Sequence, residues 1–481
     1  MMKDQEFITL LLASKEWTSF ECKRANIQPR KLLETIVAFA NSNGGLIVLG
    51  LEDPDKAPVD KRIYGTSENQ NNISEVLKLI DKEIDPNILN YKFSEIDVIN
   101  ILEIADKLAI IQIEKSNDIH SLKNGDTYIR KGAQNIKIGS SEIIRLKYEK
   151  GTLKYEDELT QIFTLEDIDK TLLNEYKRDL DGERVDDWQF LKDNGLADKK
   201  DGKYYLNKAG ILLFGNNPSV LLKTKCGIKI TRYYGIKPSY GEESNFAHRP
   251  FTIEGPLIYQ IKKAYDYFKN LVRNSPPKLK ASSFIPSFLI PTSVYQEAIT
   301  NAVIHRNYSV QNDIQVIFFD DRIEIESPGT YPGQITINNI RKERYARNPM
   351  ILRTLNRFNN PPNLDIGEGV DRMFKLMNEN NLYEPLYFPP TVVPNNVLLY
   401  LLNLQKINYW DSVNKFLIDH LTINNKQAKI VTGISDTLKM SRLLKTWVDK
   451  RLLEMKDSGY KGSTYYCKPG TNIISVSLSK S

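Results

Sequence analysis

Two hydrophobic periodicities alternate along this chain. Short apolar runs bounded by glycine, asparagine or charge, at residues 46–51, 108–113, 126–130 and 227–234, predict strands. Apolar residues three and four apart, at 7–12, 165–176, 258–272 and 294–306, predict helices. The run 190–196 reaches Gly195, a helix-stop signal, and Pro291-Thr292-Ser293 supplies a cap before 294–306. A further helix is expected at 370–377. The charged stretch 148–158 reads as a linker, and the Pro- and Ser-containing segment 275–291 as a second separator.

The end of the chain has a different rhythm. Residues 413–421, 426–433 and 438–455 predict three helices, with Ser435-Asp436-Thr437 as turn and cap before the third, and 456–468 predicts a basic hairpin. Helix, helix, recognition helix and hairpin describe a winged helix-turn-helix. The pattern divides the chain into 1–150, 151–275, 276–404 and 405–481, a multidomain α+β protein.

Length agrees with several cores, since 481 residues exceed what one hydrophobic core usually serves. With 41% hydrophobic and 26% charged residues the composition is that of a globular protein, and no apolar run approaches the roughly 18–20 residues of a membrane span. The N-terminus is acidic early and lacks a secretory cleavage site, so a cytoplasmic location is expected. Cys22, Cys226 and Cys467 are odd in number and far apart, which argues against a disulfide framework or a structural zinc site. Net charge is +6, yet residues 405–481 hold 13 Lys and Arg against 6 Asp and Glu, so the basic excess lies in the tail. Lys439, Arg442 and Lys445 decorate its third helix and suit DNA phosphates.

Two groups of polar residues suggest chemistry. Glu16 and Glu21 stand five residues apart with Lys23 beside them, and the strand following Gly44-Gly45 delivers Glu52 and Asp53 at its end. Acids converging beside a lysine suit a divalent metal and a phosphodiester; the alternative is surface pairing with Lys15, Lys23 and Arg24, contributing about 0–1 kcal/mol per pair. Further on, Glu297, Asn301 and His305 fall four residues apart on one helical face, and Gly367 and Gly369 precede the helix at 370–377. His120, His248 and His420 have no companions at ligand spacing. No Gly-x-x-x-x-Gly-Lys-Ser/Thr loop, nucleophile elbow or His-Glu-x-x-His helix occurs, which argues against P-loop motors, ordinary hydrolases and zinc proteases.

Residues 1–150 resemble the Schlafen AlbA-type domain through Glu16-x-x-x-x-Glu21-x-Lys23, Ala38-Phe39-Ala40-Asn41 with Gly44-Gly45, the strand end Gly50 to Asp53, and Tyr128-Ile129-Arg130-Lys131-Gly132. Residues from about 160 to 404 resemble the divergent ATPase-like domain of the gyrase, histidine-kinase and mismatch-repair (GHKL) superfamily. The matching residues are Glu297-x-x-x-Asn301-x-x-x-His305-Arg306-Asn307-Tyr308, Asp321 to Gly329, Arg347-Asn348-Pro349 and Gly367-Glu368-Gly369-Val370. The first resemblance implies an α/β domain in which Glu16, Glu21 and Asp53, with Glu52 as the competing alignment, hold Mg²⁺ or Mn²⁺ and cut tRNA or other RNA. Lys23 would lie near the leaving group, and nucleic acid would also meet Arg24, Arg30, Lys31, Arg130 and Lys131.

The second resemblance implies an α/β sandwich in which Glu297 activates water, Asn301 holds the magnesium of ATP, His305 has an auxiliary role, and Gly367 and Gly369 admit phosphate. The aspartate that would recognise adenine is missing or replaced by Glu326, and Arg306 is expected to pair with Asp320 or Asp321. Two functions stay open on this reading. One is a homo-oligomeric, metal-dependent endoribonuclease controlled by the central domain, with phage defence as one setting; the other is an ATP-responsive DNA-binding regulator without catalysis.

Overall fold

The computed structural model describes residues 7–8, 11–12, 14–160, 164–239, 244–280, 283–285, 287–362, 368–390, 392–457 and 464–471. Of the helix expected at 7–12, Phe7, Ile8, Leu11 and Leu12 are helical, while Thr9 and Leu10 lie outside the described residues. Gly367 and residues 458–463 of the expected hairpin also lie outside them. The chain forms two compact units, one from Met1–Thr152 with Asn408–Ser481 and one from Leu153–Ile407.

In the N-terminal part, β1 (Phe20–Lys23), β2 (Gly45–Leu49), β3 (Tyr91–Ile99) and β4 (Ala105–Ile113) make a sheet in the order β1-β2-β4-β3. β1 runs parallel to β2, and the other neighbours are antiparallel. Alternation sends Phe20, Cys22, Leu46 and Val48 into a core on one face. Ile47 and Leu49 enter a second core on the other face, built with α1 (Pro29–Asn41) and α2 (Gln70–Glu83). Glu21 and Lys23 therefore share the α1 face of the sheet. A hairpin of β5 (Thr127–Lys131) and β6 (Gln134–Ile138) packs on α1. α3 (Ser140–Lys150) follows, closed by Gly151 at φ +78°, a left-handed conformation that glycine adopts without strain.

The charged stretch 148–158 carries the chain from one unit to the other at 152–153, but its two ends are built into those units. Its first three residues finish α3, and Lys150 is buried with its ammonium donating to the carbonyls of Ala40 and Ser116. Burial lowers the Lys150 pKa to about 7. Glu156 is buried too and accepts from the amides of Met350 and Ile351, both at 2.9 Å.

Residues 151–275 and 276–404, read from the sequence as separate pieces, share one sheet and one core; this corrects the boundary at 275. α4 (Lys170–Asp179), α5 (Asp187–Asp193) and α6 (Lys208–Phe214) lead into β7 (Ile228–Arg232) and β8 (Phe251–Ile253). α7 (Leu257–Asn274), α8 (Thr292–Ile304), β9 (Ile314–Phe318), β10 (Arg322–Pro328), α9 (Pro349–Asn356), α10 (Gly369–Glu379), β11 (Leu386–Tyr387) and β12 (Asn396–Leu402) complete it. The six strands lie in the order β8-β7-β9-β10-β12-β11. The β7–β9 pair is parallel, a crossover that the intervening α7 and α8 make possible. Phe268 of α7, Tyr295 of α8 and Phe318 of β9 stack where the helices meet the sheet, with centroids 4.6–6.0 Å apart.

The C-terminal part runs α11 (Trp410–Asp419), β13 (Ile423–Asn424), α12 (Asn425–Thr432), α13 (Thr437–Asp449), β14 (Glu454–Asp457) and β15 (Thr464–Cys467). Its sheet order is β13-β15-β14. The third helix, expected to run to 455, ends at Asp449 because Arg451 turns left-handed at φ +58° and Glu454 onward pairs with β15. Trp447, Met440 and Leu444 are fully buried on one face of α13, and Trp447 lies 5.2 Å from the Trp410 ring. Trp447→Ala is expected to destabilise this domain by about 3–5 kcal/mol through lost contacts and the cavity left behind. Hydrogen exchange of the α13 amides in the full chain checks this, and unchanged protection would contradict it.

Candidate functional site

At the N-terminal site, period-two alternation puts Glu21 and Lys23 on the same face of β1, and the approach of Trp17 to Phe20 brings Glu16 alongside. The Lys23 ammonium lies between the two glutamates, 2.7 Å from an oxygen of each. Glu16 also accepts from the Cys22 amide at 3.0 Å. The second Glu21 oxygen meets the Arg130 guanidinium at 2.6 Å, in a pair whose side chains are 1% and 7% exposed. Arg130 donates further to the Trp17 carbonyl at 3.1 Å and to Asn135 at 2.7 Å. The carboxylates hold Lys23 protonated and raise its pKa against the opposing effect of burial. Burial, reinforced by the charge of Glu16, pushes the Cys22 thiol up to about 12, so it is no nucleophile near neutral pH.

The strand end beside it is built separately. Glu52 caps the Asp53 amide at 3.0 Å, and the Asp53 carboxylate accepts from the Asp55 amide at 2.9 Å, closing its own turn. Arg62, fully buried, donates to the carbonyls of Glu52 and Leu12 and to the Cys22 sulfur. The structure thus gathers Glu16 and Glu21 around a lysine and leaves Asp53 out. Among the described residues no three acidic, histidine or cysteine side chains gather to hold a metal ion. The arrangement does not fit Mg²⁺ or Mn²⁺, because the Lys23 ammonium occupies the place between the carboxylates.

The predicted nucleic-acid contacts divide in the same way. Lys23 and Arg130 are committed to Glu16 and Glu21. Arg24 is bound to Glu68, lies 3.9 Å from Glu52, and stacks 3.9 Å over the Tyr64 ring. These three cations are each paired with acids. Arg30, Lys31 and Lys131 are exposed. In the C-terminal part Lys439, Arg442 and Lys445 are all exposed and fall three residues apart on α13, on the side away from Met440, Leu444 and Trp447.

In the central unit, α8 presents Glu297, Asn301 and His305 to a cavity of about 360 Å³. Glu297 is buried and accepts from Asn301 at 3.2 Å and from Arg372 at 2.5 Å. Gly369 opens α10 against that carboxylate: a Cβ there would lie 1.8 Å from a Glu297 oxygen, so a larger residue must push aside either the carboxylate, which Arg372 holds, or the helix. Gly369→Ala is accordingly expected to displace α10, read as loss of hydrogen-exchange protection over 369–379, whereas wild-type protection would contradict the close approach. His305 is half-buried, and its Nδ1 is a buried atom with no hydrogen-bond partner. Burial, with the nearby Arg347 charge, lowers the His305 pKa to about 4 and keeps the ring neutral.

On β10, Ile325 and Ser327 face the cavity, while Glu326 points to the other face and accepts from Asn396 at 2.5 Å. Glu326 therefore does not replace the base-recognising aspartate; Ser327 stands on that wall and donates to the Ala302 carbonyl at 2.8 Å. Arg306 is fully buried and donates to the carbonyls of Lys225, Val310 and Asn312. Its expected partners are engaged elsewhere, Asp320 with Arg232 and Asp321 with Arg322. Arg372, which the sequence reading missed, is signalled only by its place one turn into the helix that Gly369 opens. His120 Nδ1 donates to the Pro86 carbonyl, His248 meets the Tyr267 hydroxyl, and His420 stacks on Phe416.

Residues 16–139 match the protein family described as "Schlafen, AlbA_2". This part of the chain is a Schlafen AlbA_2 domain. Glu16, Glu21, Lys23, Asp53, Arg62 and Arg130 all lie within it, so the ion network just described is the polar centre of the Schlafen domain. Residues 311–391 match the family described as "Putative ATP-dependent DNA helicase recG C-terminal", and the Schlafen domain is thus joined to an ATPase-like domain that contains Ser327 and Gly369. Residues 147–224 match a domain of unknown function, DUF8451. No curated protein matches the chain. Among solved structures, the DIP2311 protein from Corynebacterium diphtheriae is 17% identical, with 100% of this chain and 99% of that one covered and a TM-score of 0.41. No helix among the described residues is long and apolar enough to cross a membrane.

Proposed function

We propose that this protein is a ligand-responsive, nucleic-acid-binding regulator rather than a nuclease. The observation that carries the reading is the Lys23 ammonium seated between Glu16 and Glu21, with Asp53 turned to its own loop. A phosphodiester-cutting centre built on these residues would need a cation-binding gap where a fixed cation already sits. The Schlafen domain match favours a role on nucleic acid.

The contact surface is the exposed face of α13. The order α11, β13, α12, α13, β14, β15 is that of a winged helix-turn-helix, and its third helix presents Lys439, Arg442 and Lys445 with apolar Leu438 also exposed. Cations in that position bind phosphates, and an exposed leucine can meet a thymine methyl. DNA is the partner this geometry favours, and the cavity of the central unit is the place for an effector. The test is incubation of the full chain with total RNA and with duplex DNA, with and without Mn²⁺. Retention of DNA with both polymers intact is expected, whereas Mn²⁺-dependent cleavage lost in Glu21→Gln would restore the endoribonuclease reading.

A further inference from the structure

The tail is not the only basic stretch of the chain. Residues 223–280 hold 12 Lys and Arg against 4 Asp and Glu, an excess of +8 that the other residues mask in the total of +6. Three elements of the central unit share it: β7, the edge strand β8, and α7. Between β7 and β8 the chain leaves the sheet as a ribbon, in which Tyr233 bridges to Phe246 and the Tyr234 amide donates to the Asn245 carbonyl at 2.8 Å. The Asn245 side chain donates to the carbonyls of Tyr234 and Lys237, at 2.5 and 2.8 Å, and so fixes the turn. Residues 240–243, between the two arms in sequence, lie outside the described residues and carry two of the four acids, Glu242 and Glu243.

Because main-chain and asparagine bonds order the ribbon, its large side chains are left outward. Tyr234 is 61% exposed, Ile236 53%, Phe251 40% and Phe246 36%. Two of these rings are seated on others: Phe246 stacks on Tyr233 at 4.7 Å, and Phe251 meets Tyr267 of α7 at 5.7 Å. Cations stand between them. Lys237 lies three residues after Tyr234, Arg249 two before Phe251, and Lys263 one turn before Tyr267 on α7; all three are exposed, and none makes an ion pair among the described residues. Lys229, opposite Thr252 of β8, is exposed on the sheet face away from the core. Of the described acids nearby, Asp320 is held by Arg232 and the Gly235 amide, which leaves only exposed Glu254 and Asp266. An apolar protein surface would match the rings but not these cations. A duplex keeps its bases stacked on one another and would match the cations but not the rings. An unpaired strand supplies both, π-faces for the rings and phosphates for the cations.

We infer that the β7–β8 ribbon, with the side of α7 that carries Tyr267, binds a single-stranded polynucleotide, its bases stacking on Tyr234 and Phe251 and its phosphates meeting Lys237, Arg249 and Lys263. This goes beyond the proposed reading, which places duplex DNA on α13. The two are read with different probes, so loss of duplex binding alone would sink the regulator reading and leave this one standing.

The test is fluorescence anisotropy of labelled oligo(dT) and oligo(rU), each of about 15 nucleotides, titrated with the full chain over a salt series. The two probes separate a DNA strand from an RNA strand. At least one is expected to bind at about 50 mM salt and to weaken linearly on a log–log scale. Tyr234→Ala, at an exposed position, is expected to weaken that probe about fivefold or more through a lost stack, whereas Tyr234→Phe, which keeps the ring, stays within about twofold of wild type. Replacing Lys237, Arg249 and Lys263 together with alanine is expected to lower the salt slope by about 2, at about 0.7 per phosphate on a single strand. Three results would each overturn the inference: neither probe binding at low salt, affinity and slope unchanged in both alanine variants, or Tyr234→Phe weakening binding as much as Tyr234→Ala.

Discussion

Arg130→Met is expected to destabilise the Schlafen domain by about 3–5 kcal/mol, the range for breaking a buried ion pair from one side. The guanidinium is 1% exposed and joins β5 to β1 through Glu21, to the Trp17 carbonyl and to Asn135. Methionine fills much of the volume but leaves the 7%-exposed Glu21 carboxylate with Lys23 alone and strips the other two acceptors of their donor. Glu21→Ala is expected to cost a similar amount, now by leaving Arg130 uncompensated. In the double substitution Glu21→Leu with Arg130→Met, both charges are gone and the loss should be smaller than the sum of the two. Chemical denaturation followed by hydrogen exchange of the β1 and β5 amides measures all three. A catalytic glutamate would behave otherwise, since its removal would spare stability, so wild-type protection in Glu21→Ala would count against the structural role assigned here.

The second large effect is on binding. Lys439, Arg442 and Lys445 lie on one exposed face of α13, so replacing all three with alanine leaves the Met440, Leu444 and Trp447 core untouched. Each lost phosphate contact lowers the slope of log affinity against log salt by about 0.9 in magnitude on duplex DNA. The triple variant is expected to lose about 2–3 in slope and on the order of 100-fold in affinity near 0.1 M salt. Unchanged melting of the domain separates lost contacts from lost folding. An affinity and slope equal to wild type would place the DNA-binding surface elsewhere.

The sequence was legible where a local signal sufficed. Gly44-Gly45 announced the start of β2, helical spacing found α7 and α8, and the Asp436 cap found the start of α13, whose side chain accepts from the amides of Leu438 and Lys439. It was silent where pairing over long distances decides. β3 carries alternating charge and apolar residues over Tyr91–Ile99 and becomes a strand through its pairing with β4. The joining of 151–275 with 276–404 depends on β7 aligning with β9, some 80 residues apart, which no local pattern encodes.

At the sites, residue types and spacing singled out Glu16, Glu21, Lys23, Glu297 and Asn301, and each proved to be part of a polar cluster. What spacing could not give was the third partner. Arg130 reaches Glu21 from more than 100 residues away, and Arg372 reaches Glu297 from 75. Those two arginines change acids that look like metal ligands into ion-paired acids. The linker reading placed the passage between the two units but missed its buried ends, because charge in 148–158 suggests solvent until Lys150 and Glu156 find buried carbonyls and amides to bond.

The most direct measurement is fluorescence anisotropy of a labelled DNA duplex titrated with the full chain across a salt series, with Mn²⁺ present and the duplex examined afterwards for breaks. The predicted result is tight binding at low salt that weakens linearly on a log–log scale, with the duplex intact. Absence of binding at low salt, or a duplex cut by the wild-type chain, would contradict the account.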